Sequence, residues 1–144
     1  MIEIDISELW QAAAILLGLQ ATSFNWRIQQ EAAVADRGDI KWLPPADWIN
    51  LIAMMLCVAL VFALPAIGLV DVKFARMAFG LIAILVVGHS FALAGHYELF
   101  TQGKRTYRYF PPQEKWAVFL IAIVACAYIA FWAGGANLEI LSRR

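Results

Sequence analysis

Residues 77–97 read MAFGLIAILVVGHSFALAGHY, and this stretch decides the fold. None of its 21 residues is Asp, Glu, Lys or Arg. A helix needs about 20 apolar residues, at ~1.5 Å each, to cross the ~30 Å hydrocarbon core of a bilayer. Apolar residues follow one another here without the alternation of a membrane β-strand, so the pattern predicts a transmembrane α-helix.

Three further stretches lack charged residues: 9–26, 48–70 and 116–138, of 18, 23 and 23 residues. The 144-residue chain is 62% hydrophobic and 15% charged. We therefore predict an all-α integral membrane protein, a single transmembrane domain over 1–144 folded as an up-down four-helix bundle. The first stretch is the least apolar. The alternative to a span here is an amphipathic helix on the membrane surface, but such a helix would need a charged face, which this stretch lacks.

Basic residues predict the orientation. With four spans, seven Lys and Arg residues fall in the 1–2 and 3–4 loops, against four on the side of the termini. Loops rich in Lys and Arg stay in the cytoplasm. We expect loops 27–47 and 98–115 in the cytoplasm and both termini outside, in a bacterial inner (plasma) membrane.

Prolines and glycines predict where the helices end. The first helix should continue past Trp26 towards Gly38, and Asp47 should cap the second helix. Pro65 should kink the second helix near its end. The pair Gly134–Gly135 should fray or end the fourth helix.

His89 and His96 are the only histidines, and with Glu98 they are the candidates for a ligand site or a proton relay. Seven residues place the two rings on one helix face about 10.5 Å apart, too far to share one metal ion. One helix face also cannot supply both axial ligands of a haem. No metal, cofactor or catalytic residue is predicted. No Asp or Glu is placed to couple a cation gradient, which argues against a self-contained secondary transporter. A structural role remains open for His89, as a hydrogen-bond partner of a polar residue on the first helix.

The first helix carries a polar stripe, predicted either to pack or to line a pore: Gln11, Gly18, Gln20, Thr22 and Asn25. Small and amide-bearing residues allow helices to approach closely and to bond across the interface. Packing within the chain's own bundle is the first expectation. The alternative is a face shared between protomers, lining a narrow pore.

The 3–4 loop interleaves cations and rings, and the residues predicted to contact lipid headgroups are Lys104, Arg105, Tyr107, Arg108 and Tyr109. At a cytoplasmic interface this pattern favours anionic lipid. Such residues also stack on nucleobases, but one short loop in a chain of net charge zero does not predict nucleic-acid binding.

The function indicated by these features is that of a small multi-pass membrane protein without enzymatic activity. We expect an accessory, assembly or oligomeric component that contacts lipid and forms a homo-oligomer or binds another membrane protein. Two alternatives remain open. One is an oligomeric channel lined by the first helix, and the other is a membrane redox subunit that uses His89 with a haem or a quinone.

Overall fold

A computed structural model describes residues 5–35, 43–102 and 108–142. These residues form four long helices: α1 (Ile6–Ala35), α2 (Pro45–Ala66), α3 (Val72–His96) and α4 (Pro112–Ser142). No strand occurs in the described residues, so the all-α prediction is confirmed.

Three of the four helices are long and apolar enough to cross a membrane: Pro45–Ala66, Val72–His96 and Pro112–Gly134. This supports a transmembrane protein. Helix α1 is long enough, with 30 residues, but it does not reach the same apolar character. Its amides and hydroxyls, Gln11, Gln20, Thr22 and Asn25 among them, account for the difference.

Two helix boundaries differ from the sequence prediction. Helix α2 begins at Pro45 and its N-cap is Pro44, so the predicted capping role of Asp47 is wrong. Asp47 is the third residue of α2, in its first turn, where it is buried. Helix α4 does not end at Gly134 but runs to Ser142. Glycine lowers helix stability by only about 1 kcal/mol per residue, which an apolar helix of this length tolerates.

The second helix accommodates its proline through a π-helical segment, Cys57–Ala63, ahead of Pro65. In a regular helix the N–H of residue 65 would bond the carbonyl of Val61, and proline has no N–H. The indole Nε1 of Trp10 donates to that carbonyl at 2.8 Å. The bond fixes the N-terminal half of α1 beside the C-terminal half of α2.

Contacts at both ends show that neighbouring helices run antiparallel. Trp10 on α1 meets Val61 on α2, whereas Arg27, 17 residues later, pairs with Asp47 near the start of α2. In the same way Tyr128 on α4 bonds the carbonyl of Met77, near the beginning of α3.

Helix α3 is the common neighbour of the other helices. Its small residues let α4 approach closely: a Cβ on Gly95 would lie 2.8 Å from the backbone nitrogen of Glu114. The main apolar cluster fills the space between α1, α2 and α3. Its buried members are Leu9, Ala13, Ala53, Cys57, Val61, Ala75, Ala78, Ile82 and Val86.

Candidate functional site

Ionisable and polar side chains gather at one end of the helices, where α1 and α3 end and α2 and α4 begin. We call this group the polar cluster; its members are Arg27, Glu31, Asp47, Asn50, His89, His96, Tyr97 and Glu114. Six of the eight are buried, at 6% exposure or less. Buried charges are costly unless they are paired, so their pairing determines what the cluster can do.

Glu114 holds the beginning of α2 in place. One carboxylate oxygen accepts the backbone N–H of Ala46 at 2.7 Å, and the other lies 2.9 Å from Nδ1 of His96. The N-cap residue of α2, Pro44, supplies no capping side chain. A carboxylate from α4 therefore caps α2, where the helix dipole favours a negative charge.

Asp47 divides its two oxygens between two helices. Oδ1 lies 3.4 Å from Nε2 of His89 on α3, and Oδ2 lies 3.6 Å from Nε of Arg27 on α1. Arg27 in turn pairs with Glu31, one turn along α1. A single carboxylate thus joins three helices.

Tyr97 connects these two groups of charges. The guanidinium carbon of Arg27 lies 5.4 Å from the centroid of its ring, within the range of a cation–π contact. The imidazole of His96 meets the same ring edge-on, with centroids 5.4 Å apart. The cluster is therefore one continuous network that touches all four helices.

Several buried polar atoms of the cluster make no hydrogen bond within the described residues. They are both amide atoms of Asn50, Oδ2 of Asp47, and Nε and Nη2 of Arg27. Asn50 is fully buried and lies one helical turn from Asp47, on the same face of α2. Unpaired buried polar atoms cost free energy, so natural proteins keep them mainly where water, a proton or a ligand is involved.

The polar cluster carries more acid than base. Three carboxylates, on Glu31, Asp47 and Glu114, face one guanidinium, on Arg27. With both imidazoles neutral, two negative charges are unbalanced. With both imidazoles protonated, the cluster is electrically neutral.

The two predicted histidines both lie in this cluster. His89 pairs with Asp47 of α2, not with a polar residue of the first helix as expected. His96, for which no partner was predicted, pairs with Glu114 of α4. Glu98 stands at the end of α3 with a φ of 54°, a left-handed conformation typical of the residue that stops a helix.

The acidic members were missed because a span was defined by the absence of charge. Asp47 and Glu114 lie one and two residues before the predicted spans 48–70 and 116–138, and the structure places both in the first turns of α2 and α4. A repeated motif could have identified them: Pro44-Pro45-Ala46-Asp47 and Pro111-Pro112-Gln113-Glu114 both place two prolines before an acid. Proline favours the first turn of a helix, so in both motifs the acid enters that turn.

The polar stripe of α1 faces outwards. Gln11, Gly18, Thr22 and Asn25 are exposed, and no atom lies within 4 Å of a Cβ built on Gly18. Their expected packing inside the bundle is therefore wrong for these four. Gln20 alone points inwards, where its Oε1 is buried without a partner in the described residues.

Of the predicted headgroup contacts, Arg108 and Tyr109 are exposed in the 3–4 loop, just before α4. Lys104, Arg105 and Tyr107 lie outside the described residues. The adjoining surface between α3 and α4 has an apolar groove of about 840 Å³, which includes Phe91, Phe100 and Trp116. Gln113 is polar, but its amide is bonded to Phe100 and Thr101. The groove therefore suits the binding of apolar chains, and its lining does not indicate a catalytic site.

Within the part of the chain that the structure describes, no three His, Cys, Asp or Glu side chains are grouped to hold a metal ion. Comparison with protein-family models, curated proteins and solved structures finds no match for this chain. Its function is therefore argued from the geometry of the polar cluster and of α1.

Proposed function

We propose that the chain is a four-span membrane protein without enzymatic activity that acts by lateral association, as an oligomeric component. The outward polar face of α1 is the observation that carries this proposal. We further propose that this face pairs with α1 of a second copy.

The contacts of α1 support its role as the fourth span. Its contacts with α2 begin at Trp10 and extend to Arg27, roughly 25 Å along the helix axis. That distance covers most of a hydrocarbon core of about 30 Å. A helix that follows an antiparallel spanning helix over this length lies in the bilayer beside it, although its own sequence is only moderately apolar.

Labelling in intact cells tests this span together with the orientation. The variants are Ser7→Cys and Gln29→Cys, both at exposed positions, in a Cys126→Ala background because Cys126 is also exposed. We expect an impermeant thiol reagent to label residue 7 alone in intact cells, and both residues after permeabilisation. Equal labelling of both in intact cells would exclude the span. Labelling of residue 29 alone would keep the span and reverse the orientation.

The position of the polar stripe around α1 supports an external partner. At about 100° per residue, Gln11, Gly18, Thr22 and Asn25 fall within about 60° of one another. Residues packed in the chain's own core, such as Ala13, lie on the opposite side of the helix. Amides that face lipid have no hydrogen-bond partner, whereas amides that face another helix do.

The chemistry of the stripe favours a second copy of this chain. Copies in one membrane share their orientation, so a two-fold axis brings each stripe residue close to its own counterpart. Residues 9–26 carry no charge, so like groups do not repel, and an amide both donates to and accepts from its twin. Gln11, Gly18 and Asn25 repeat every seven residues, which suits a left-handed parallel pair with Ala14 and Ala21 at the close approach.

Disulfide cross-linking tests the predicted contact face. Thr22→Cys should cross-link two copies in the membrane, whereas Ser23→Cys should not. The two residues are neighbours at the same depth and both are exposed, but they point about 100° apart. Equal cross-linking of both variants would contradict a defined face.

Native mass spectrometry from mild detergent tests how strongly two copies associate through this face. Interhelical hydrogen bonds in membranes contribute about 0.6–2 kcal/mol each, so the loss of two bonds in Gln11→Leu with Asn25→Leu should weaken association about 10- to 1,000-fold. The matched control is Ala12→Leu with Ser23→Leu, two exposed positions off the stripe. A monomeric wild-type chain would refute pairing with a second copy. Co-purification of another membrane protein in fixed ratio would then point to an accessory role.

The same face favours a second candidate function, an oligomeric channel. Several copies around one axis would enclose a pore lined by the amides of α1. Among the described residues, the interior of a single chain offers no such path, since Ala13, Val61 and Ala78 are buried in an apolar layer next to the polar cluster. Ion flux into liposomes that falls with Gln11→Leu would favour the channel, and flux at the level of empty liposomes would exclude it.

A further inference from the structure

We propose that the polar cluster is a proton-binding site that takes up two protons from the aqueous phase, one on His89 and one on His96. The inference does not depend on the association of copies through α1. It follows from three observations: the charge balance of the cluster, the geometry of its two imidazole–carboxylate pairs, and the buried polar atoms that lack partners.

Charge balance sets the number of protons. The charged and titratable groups that face the two imidazoles come from every helix packed around them. They are Arg27 and Glu31 on α1, Asp47 on α2, Tyr97 after α3 and Glu114 on α4. Among them the carboxylates exceed the guanidinium by two, and an unbalanced charge is strongly disfavoured in a buried site. Two protons neutralise the cluster, and the two imidazoles are the groups placed to carry them.

Geometry assigns each proton to an atom. His89 presents Nε2 to Asp47, so its N–H at Nε2 donates to the carboxylate and the incoming proton binds at Nδ1. His96 presents Nδ1 to Glu114, so the incoming proton binds at Nε2. In each case a hydronium ion transfers H⁺ to a ring lone pair and leaves as water. The two neutral histidines are therefore opposite tautomers.

Asn50 adds a polar group beside the Asp47–His89 pair that can respond to a change of charge. Asn50 is fully buried beside Asp47, and both of its amide atoms lack a partner in the described residues. An amide can donate or accept, so it can stabilise a neighbouring group in either protonation state. Asp47 keeps one oxygen for Arg27 and the other for His89, and the guanidinium holds the carboxylate when the imidazole loses its proton.

Nitrogen NMR of the full chain in lipid nanodiscs tests this directly, because the sequence contains only two histidines. The protein is labelled with ¹⁵N-histidine and titrated from about pH 9 to about pH 5, the range in which histidine ordinarily changes charge. At high pH we expect one ring with the Nε2–H tautomer and one with the Nδ1–H tautomer. At low pH both should become imidazolium, with all four ring nitrogens protonated.

Conservative variants assign the signals and provide controls. Asp47→Asn should release the tautomer of His89, and Glu114→Gln that of His96, while the other imidazole keeps its tautomer. Glu31→Gln removes a carboxylate that pairs with Arg27 instead of an imidazole, and it should leave both tautomers in place. The two tautomers are read from the spectrum of the wild-type protein, so the test still stands if a variant fails to fold. Identical tautomers at high pH, or a histidine that stays neutral to about pH 5 in the folded protein, would overturn the proposal.

Discussion

Glu114 offers the sharpest test of the polar cluster, because it joins three helices through one side chain. It lies on α4, accepts the N–H of Ala46 at the start of α2, and pairs with His96 at the end of α3. Its side chain is fully buried. Replacement by alanine therefore leaves a buried N–H and a buried imidazole without the carboxylate that both of them contact.

The two contacts of Glu114 set the expected loss of stability. A hydrogen bond to a charged group contributes about 1.5–3 kcal/mol, and Glu114 makes two. Breaking one partner of a buried ion pair costs about 3–5 kcal/mol, which agrees with that sum. Glu114→Ala should therefore lower the free energy of unfolding by about 3–5 kcal/mol. Glu114→Gln keeps an oxygen for Ala46 and loses the charged bond to His96, so its loss should be about 1.5–3 kcal/mol.

The measurement is reversible unfolding in mixed micelles, in which denaturing detergent is titrated and tryptophan fluorescence is recorded from the six Trp residues. The matched control is Lys115→Ala, the next residue along α4, which is exposed and should change stability by about 0.5 kcal/mol or less. The free energy of unfolding should fall most in Glu114→Ala, less in Glu114→Gln and least in Lys115→Ala. If Glu114→Ala were as mild as Lys115→Ala, the carboxylate would not hold the three helices together.

Two further predictions concern packing and helix geometry. Gly95→Ala should lower the free energy of unfolding by about 1–3 kcal/mol, because the added Cβ would lie within 2.9 Å of α4 backbone atoms. Gly134→Ala is the control: no atom lies within 4 Å of its added Cβ, so it should be neutral or stabilising in the same unfolding assay. Trp10→Phe keeps the ring but removes the N–H bonded to the carbonyl of Val61, and should cost about 0.5–1.5 kcal/mol. An effect of Trp10→Phe no larger than that of an exposed substitution would mean that this carbonyl finds another donor.

The sequence predicts those parts of the fold that depend on sums over many residues. Long uncharged runs give the helices of α2, α3 and α4, because the transfer of apolar side chains into lipid is additive. The same reasoning is less decisive for α1. Its outward face is polar, and its inward face is apolar apart from Gln20 and Arg27. Hydropathy averages over the circumference of a helix, so it does not distinguish an amide that faces a neighbour from one that faces lipid.

The polar cluster could be predicted only in part, because it depends on pairs of residues that are distant in the sequence. His89 and His96 are evident as ionisable groups in an apolar run, but their partners are 42 and 18 residues away. The charge of Asp47 and of Glu114 suggests an aqueous boundary when each is considered alone. A buried position becomes acceptable only with a partner, and the partner is supplied by the folding of another helix.

The distribution of polar groups around α1 links the two proposals. Arg27, one of the two charged residues that α1 contributes to the polar cluster, points inwards to Asp47, because an unpaired charge in an apolar environment is far more costly than an unpaired amide. Between residues 9 and 26 the outward face has only neutral groups, such as Gln11 and Asn25, which one chain alone can expose at modest cost. The inner face therefore fixes α1 in its own chain through charge. If α1 is the fourth span, as we propose, its outer face can exchange lipid for a partner helix, and the amides on that face gain hydrogen-bond partners only through this exchange.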